Sequence, residues 1–495
     1  MYLLCVNCGK KNRKLKLVFT FRLPTGVLEI NTNDFGDYYK CLDLKSDTQD
    51  PSIRGKYCAV RVPLDQTLEL PFIGGETDVG NGRELLAEEL RRRGRDPELT
   101  VKTSLQAVCL IICFFFSFSD VKQINPLYKS FSVYTNTRRL TTFAPNSNAL
   151  DCLDGIRAIS MMWVIFGHTF SMYNTFANLL DVIDVSTFII TSDPISATFV
   201  QSGVFAVDTF LTMTGILLIY TSSLLKTLHL FYINRILRLF PLLGAIVLLE
   251  ASFFHRISDG PYWLTVARNT ERCRNWWWTT LLYVQNYCIQ HSWYLAIDMQ
   301  LHIISPLILV WVYSGNRKYA WSALLGGILA ILVGSSIFNF IKDLPSKQAS
   351  YMENFYQNTL TRGAPFFFGM ALGYLLTITK GKKIKIHLVS DLNILLLFYM
   401  TYEVMQLEWN NQIADNIYNS FARPIWAVAL CWLVFACVHG YGGPINWLLC
   451  LPMWKLIARI SYAMYLFHYS FMFIAAGMQL RPIYFSVAQS VGLYL

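Results

Sequence analysis

Arg157 and His168 are the first residues whose types and spacing suggest chemistry: they stand eleven apart in a largely apolar stretch. On a helix that is about three full turns, or about 16 Å, so both side chains share a face without touching. A guanidinium at the mouth of a membrane span suits a phosphate-bearing donor. A neutral imidazole at depth suits a general base. A boundary charge and a histidine satisfied by a backbone carbonyl would explain the same two residues. Asp208 sits in the apolar run FAVDTFLTMTGILL. A carboxylate there needs a partner. By depth His168 is the expected one, since a carboxylate holding an imidazole fixes its tautomer and raises its basicity; Thr or Ser hydroxyls are the other option.

Arg235 and Arg238 are three apart in FYINRILRLFPL, on one helical face. They read as a clamp on donor phosphates or as an anchor at the membrane boundary. In SWYLAIDMQ, Trp293, Asp298 and Gln300 begin another apolar segment. They could bind an acceptor near the outer face, or Asp298 could be a first-turn carboxylate favoured by the helix dipole. His468, in YLFH, is open between packing and function.

These residues need elements to position them, and composition says which kind. The 495-residue chain is 54% hydrophobic and 15% charged, against roughly a quarter charged in soluble domains. Apolar stretches of about 18 residues or more read as membrane spans, and they recur from Ile156 onward. The expected fold is an all-α polytopic membrane protein of about ten transmembrane helices, with a small cysteine-bearing N-terminal extracytoplasmic domain. Spans are expected near 103–118, 156–177, 197–222, 231–252, 293–313, 319–341, 363–379, 391–408, 421–439 and 459–478, with an interfacial stretch at 276–288. Residues 1–100 form the polar N-terminal part, 103–118 the first span and 147–478 the membrane domain.

The net charge of +10 comes largely from short loops between spans. Lys226, Arg317, Lys318, Lys380, Lys382, Lys383, Lys385 and Lys455 lie in alternate loops, which the positive-inside rule makes cytosolic. The N-terminal domain then falls outside, where Cys41 and Cys58 could oxidise, as could Cys273 and Cys288 in one outer loop. The basic run RELLAEELRRRGR at 83–95 opposes that orientation for the first span and reads as a solvated helix. No nucleic-acid module is recognisable, and the lone Cys5–Cys8 pair is a weak sign of zinc; no metal is expected. The partners expected are membrane lipids and a small hydroxyl-bearing acceptor, in a plasma or internal membrane.

Seven segments in order carry a family resemblance: LDCLDGIRAISMMWVIFGHTF, FAVDTFLTMTGILL, FYINRILRLFPL, SWYLAIDMQLHIISPL, TRGAPFFFGMALGYLL, FARPIWAVALCWLVFACVHGYGGPINWLL and ISYAMYLFHYSF. They resemble the acyltransferase-3 family, and within it the animal branch named for nose resistant to fluoxetine. GVLEINTNDFGDYYKCLDLK and GKYCAV resemble that branch's N-terminal domain. Residues 1–23 match nothing in it and the chain ends soon after His468, so a shortened chain is expected. The resemblance implies acyl transfer from acyl-CoA, the donor substrate, to a hydroxyl of a lipid, sterol or carbohydrate. It places the family's arginine–histidine motif on Arg157 and His168 and its arginine pair on Arg235 and Arg238. The competing expectation is a transporter or binding protein for lipids and small hydrophobic molecules. The absence of an obvious inverted repeat weighs against it.

Overall fold

The apolar stretches fold as long helices because a helix satisfies every backbone polar group internally, which a lipid-facing chain requires. The computed structural model describes residues 3–7, 55–59, 133–143, 150–176, 198–221 except 201, 228–252, 263–284, 290–342, 351–382 and 411–479, with a few single residues between them. The expected spans at 103–118 and 391–408 lie almost entirely outside these.

Twelve helices are described: α1 (Val133–Thr141), α2 (Cys152–Phe176), α3 (Phe205–Tyr220), α4 (Leu228–Ser252), α5 (Trp263–Leu281), α6 (Trp293–Ile304), α7 (Pro306–Val312), α8 (Arg317–Lys342), α9 (Thr359–Thr379), α10 (Gln412–Val438), α11 (Gly443–Leu449) and α12 (Met453–Gly477). In the N-terminal region two short strands, β1 (Leu3–Asn7) and β2 (Gly55–Ala59), pair antiparallel with Leu3 opposite Ala59 and Asn7 opposite Gly55. The first 23 residues, unmatched by the resemblance, thus supply the partner of the GKYCA segment.

Among the described residues four helices are long and apolar enough to cross a membrane: Thr198–Tyr220, Leu228–Ser252, Arg317–Lys342 and Gln412–Val438. The pair α6 and α7 makes a fifth if counted as one span, bent by 45°. Pro306 stands at the first turn of α7 and, lacking an N–H, opens the helix just before it. The single span expected at 293–313 is therefore broken. Helices α2, α9 and α12, with 25, 21 and 25 residues, are long enough to cross but carry the polar side chains of the site described below. The stretch 276–288, expected to be interfacial, is in part the end of the polar helix α5.

Helices α3 and α9 form the tightest contact of the bundle. A Cβ on Gly215 would lie 2.1 Å from the Phe366 carbonyl oxygen, and one on Gly369 2.1 Å from that of Thr212. Small residues let the backbones approach closely, the usual basis of helix association where lipid removes the hydrophobic drive. Gly369→Leu is expected to separate the helices and destabilise the fold by about 1–3 kcal/mol or more. A wild-type melting temperature for the purified variant would contradict this packing.

Candidate active site

Among the described residues, three buried clusters hold most of the expected site residues. At the first, His468 on α12 meets His168 on α2, with His468 Nε2 2.9 Å from His168 Nδ1. The helical frame holds His468 in place: its Nδ1 lies 2.8 Å from the Tyr465 carbonyl oxygen and 3.1 Å from that of Met464. Carbonyl oxygens only accept, so Nδ1 of His468 carries the hydrogen. In the neutral pair Nε2 of His468 is then the acceptor, and Nδ1 of His168 must donate to it. The Nε2 lone pair of His168 is left free, the condition a general base needs.

Aromatic and imidazole rings enclose the pair. The Tyr469 ring lies 5.3 Å from that of His168, and His291 lies 4.9 Å from His468. The Tyr465 hydroxyl donates to the His291 carbonyl oxygen. His468 and His291 are buried, while His168 is half-buried. His168 thus has a histidine as its partner, where Asp208 was expected.

Asp208 is not that partner. It is fully buried on α3 and receives Nη1 of Arg362 on α9 at 2.7 Å, with Nε of Arg423 on α10 at 3.8 Å from its second oxygen. Arg362 also donates through Nε to the Tyr356 carbonyl oxygen at 2.8 Å and lies over the Tyr356 and Trp293 rings, 3.9 and 4.9 Å from their centroids. The physical reason is charge: a buried carboxylate is better compensated by a guanidinium than by a neutral imidazole. Trp293, expected to touch the acceptor, is a cation–π wall of this second cluster.

At the third cluster Arg235 on α4 is ion-paired with Asp298 on α6. Arg235 and Asp298, expected toward opposite faces of the membrane, therefore lie side by side. Gln300 donates to the Tyr283 carbonyl oxygen at 3.0 Å and accepts from the Thr359 hydroxyl, tying α6 to the preceding loop and to α9. Tyr283 itself has φ of 56°, a left-handed conformation uncommon for a bulky residue. Arg157 on α2 and Arg238 on α4 lie close enough to repel each other, with Asp154 near enough to attract Arg157; among the described residues neither arginine makes a hydrogen bond or salt bridge.

Arg362, Arg423 and His291 were not singled out from the sequence. The signal for the two arginines was present, since an ionisable residue inside an apolar stretch is a functional candidate by default. Both lie in segments quoted only for their resemblance, TRGAPFFFG and FARPIW. Of the expected disulfides, Cys273 is buried on α5, Cys288 and Cys41 lie outside the described residues, and the Cys58 side chain does too. Among the described residues no group of three His, Cys, Asp or Glu side chains could hold a metal ion.

A helical bundle with several apolar spans and a buried polar interior defines an integral membrane protein. A family profile described as an acyltransferase domain matches residues 150–494, and the chain belongs to that acyltransferase-3 family. A second profile, the N-terminal domain of nose resistant-to-fluoxetine proteins, matches residues 20–102. The chain is 29% identical to nose resistant to fluoxetine protein 6 of Caenorhabditis elegans over 390 residues, 68% of this chain and 47% of that protein. It is 22% identical to the regulator of hypoxia-inducible factor 1 of Caenorhabditis elegans, over 70% of this chain and 75% of that protein. A Staphylococcus aureus (strain COL) protein, provisionally named an O-acetyltransferase, is 23% identical over 64% of this chain and 50% of its own length. The chain thus spans about half the length of two of these three relatives. No solved structure matches it.

Proposed function

We propose that this chain is a membrane-bound O-acyltransferase that moves an acyl group from acyl-CoA to a hydroxyl of a lipid, sterol or carbohydrate. The observation that carries the reading is the His168–His468 pair, whose backbone-anchored tautomer leaves His168 Nε2 unprotonated in a half-buried setting. In the reaction the acceptor oxygen attacks the thioester carbonyl while its proton passes to His168 Nε2. His468 accepts the Nδ1 hydrogen bond and steadies the imidazolium. Collapse of the tetrahedral intermediate expels the CoA sulfur, which takes that proton from His168. The products are the ester and free CoA, with no net charge left in the membrane.

Arg157 and Arg238 serve the donor phosphates in this scheme, because among the described residues neither guanidinium is held in a salt bridge. Arg235 is neutralised by Asp298 and positions that wall. The basic loops are cytosolic, the N-terminal domain is extracytoplasmic, and about ten spans are formed in all. Accessible cysteines at positions 316 and 270 are then expected on opposite faces; finding both on one face would reverse the orientation.

The decisive experiment for function is release of free CoA from acyl-CoA by the purified chain in lipid nanodiscs, with stoichiometric ester in the acceptor. CoA release without ester would make the chain a thioesterase. Neither product, together with protein-dependent movement of labelled lipid between leaflets, would favour the transporter reading.

A further inference from the structure

Glu250 stands near the end of α4, fifteen residues beyond Arg235 and therefore about 22 Å along the helix. It is 5% exposed. One carboxylate oxygen accepts from the Ser470 hydroxyl on α12, while the other, Oε2, has no hydrogen-bond partner. Among the described residues no cation forms a salt bridge with it. A carboxylate oxygen withdrawn from water without a donor is costly, so the position calls for a donor supplied from outside the chain.

The surroundings say what kind. Glu250 lines a small cleft between α4, α5 and α12, shared with Asn269, Thr270, Ser470, Tyr469 and Phe473 and partly open to the surface. Its enclosed part has room for one water-sized group. The Thr270 hydroxyl already donates to the Val266 carbonyl oxygen at 3.1 Å, and Ser470 donates to Glu250, so both oxygens present lone pairs. Among the described residues Asn269 has no side-chain hydrogen-bond partner, and it can give or accept. The polar wall is therefore rich in acceptors, and Tyr469 and Phe473 provide an apolar one. Tyr469 also belongs to the histidine cluster, 5.3 Å from His168 and 5.0 Å from His291.

We propose that this cleft binds a hydroxyl of a polyol or sugar, the acceptor's non-reacting part, with Glu250 Oε2 accepting its hydrogen bond. The identification of that ligand as the acceptor rests on the acyltransferase reading; the binding itself does not. The cleft lies at the end of α4 opposite the arginines, so donor and acceptor would approach the histidine pair from opposite ends of the bundle.

The test is saturation-transfer NMR on the full chain in lipid nanodiscs, without donor, using methyl glucoside and glycerol as probes and choline as the ammonium rival. Saturation of the glucoside ring protons is expected in wild type and in His168→Ala. Affinity is expected to fall about tenfold or more in Glu250→Gln, the loss of a charge-assisted hydrogen bond. Asn269→Trp, which blocks the cleft from a half-buried position and leaves Glu250 intact, should abolish it. No transfer in wild type, equal transfer in wild type and both cleft variants, or displacement of the glucoside by choline would overturn the proposal. Binding that persists in a chain found to have no transferase activity would leave the site standing and remove only the enzymatic reading.

Discussion

His168→Ala is expected to cut ester formation by about 10² to 10⁴, the usual contribution of a general base, while leaving membrane insertion intact. The argument rests on one hydrogen. The Tyr465 and Met464 carbonyls fix the proton of His468 on Nδ1, and this fixes the proton of His168 on the nitrogen facing His468. His468→Ala removes that constraint and should also lower turnover, with little change in the apparent affinity for acyl-CoA. Because the two rings act as a unit, the double variant should be little worse than His168→Ala alone. Steady-state kinetics with varied donor checks this. Additive losses would show that His468 acts independently, and wild-type turnover in His168→Ala would end the proposed mechanism.

Asp208→Ala should act on a different quantity. Asp208 and Arg362 are both 0% exposed, and Arg423 shares the same carboxylate. Removing the carboxylate leaves two buried guanidiniums facing each other, a loss of about 3–5 kcal/mol for a broken buried pair. That is a large fraction of the about 5–15 kcal/mol that holds a typical domain together. The expected result is a sharp fall in folded, monodisperse protein and in melting temperature. Arg362→Ala should fail in the same way, since it strands Asp208 and removes the cation from the Tyr356 and Trp293 rings. If instead Asp208→Ala folded with a wild-type melting temperature and lost only turnover, Asp208 would be a participant in the chemistry, as its depth in the sequence first suggested.

The contrast between Asp208 and His468 shows where sequence reasoning reached its limit. Depth along a span follows from counting residues, because a helix rises a fixed 1.5 Å per residue. His168, Asp208 and His468 could therefore all be placed away from the span ends. Counting does not give the angle at which each helix faces its neighbours. Asp208 turns toward α9 and α10, on the side where glycines at 215 and 369 let α3 and α9 close to backbone contact, and His168 turns toward α12. The single span at 293–313 was misread for another reason: the break at Ser305 and Pro306 bends a segment that hydropathy reads as one.

What the sequence by itself determined was the class of protein and the inventory of its polar groups. Apolar runs of span length force helices, since lipid offers no hydrogen bonds to an open backbone. The few ionisable residues within those runs are necessarily buried and in need of partners. Which partner each one finds was decided only by the tertiary structure. Pairing depends on helix rotation, on close approach at small residues and on one broken span, and these arise from contacts between segments far apart in the chain. The pairs His168 with His468, Asp208 with Arg362 and Arg235 with Asp298 join residues 300, 154 and 63 positions apart, separations over which local pattern carries no orientation.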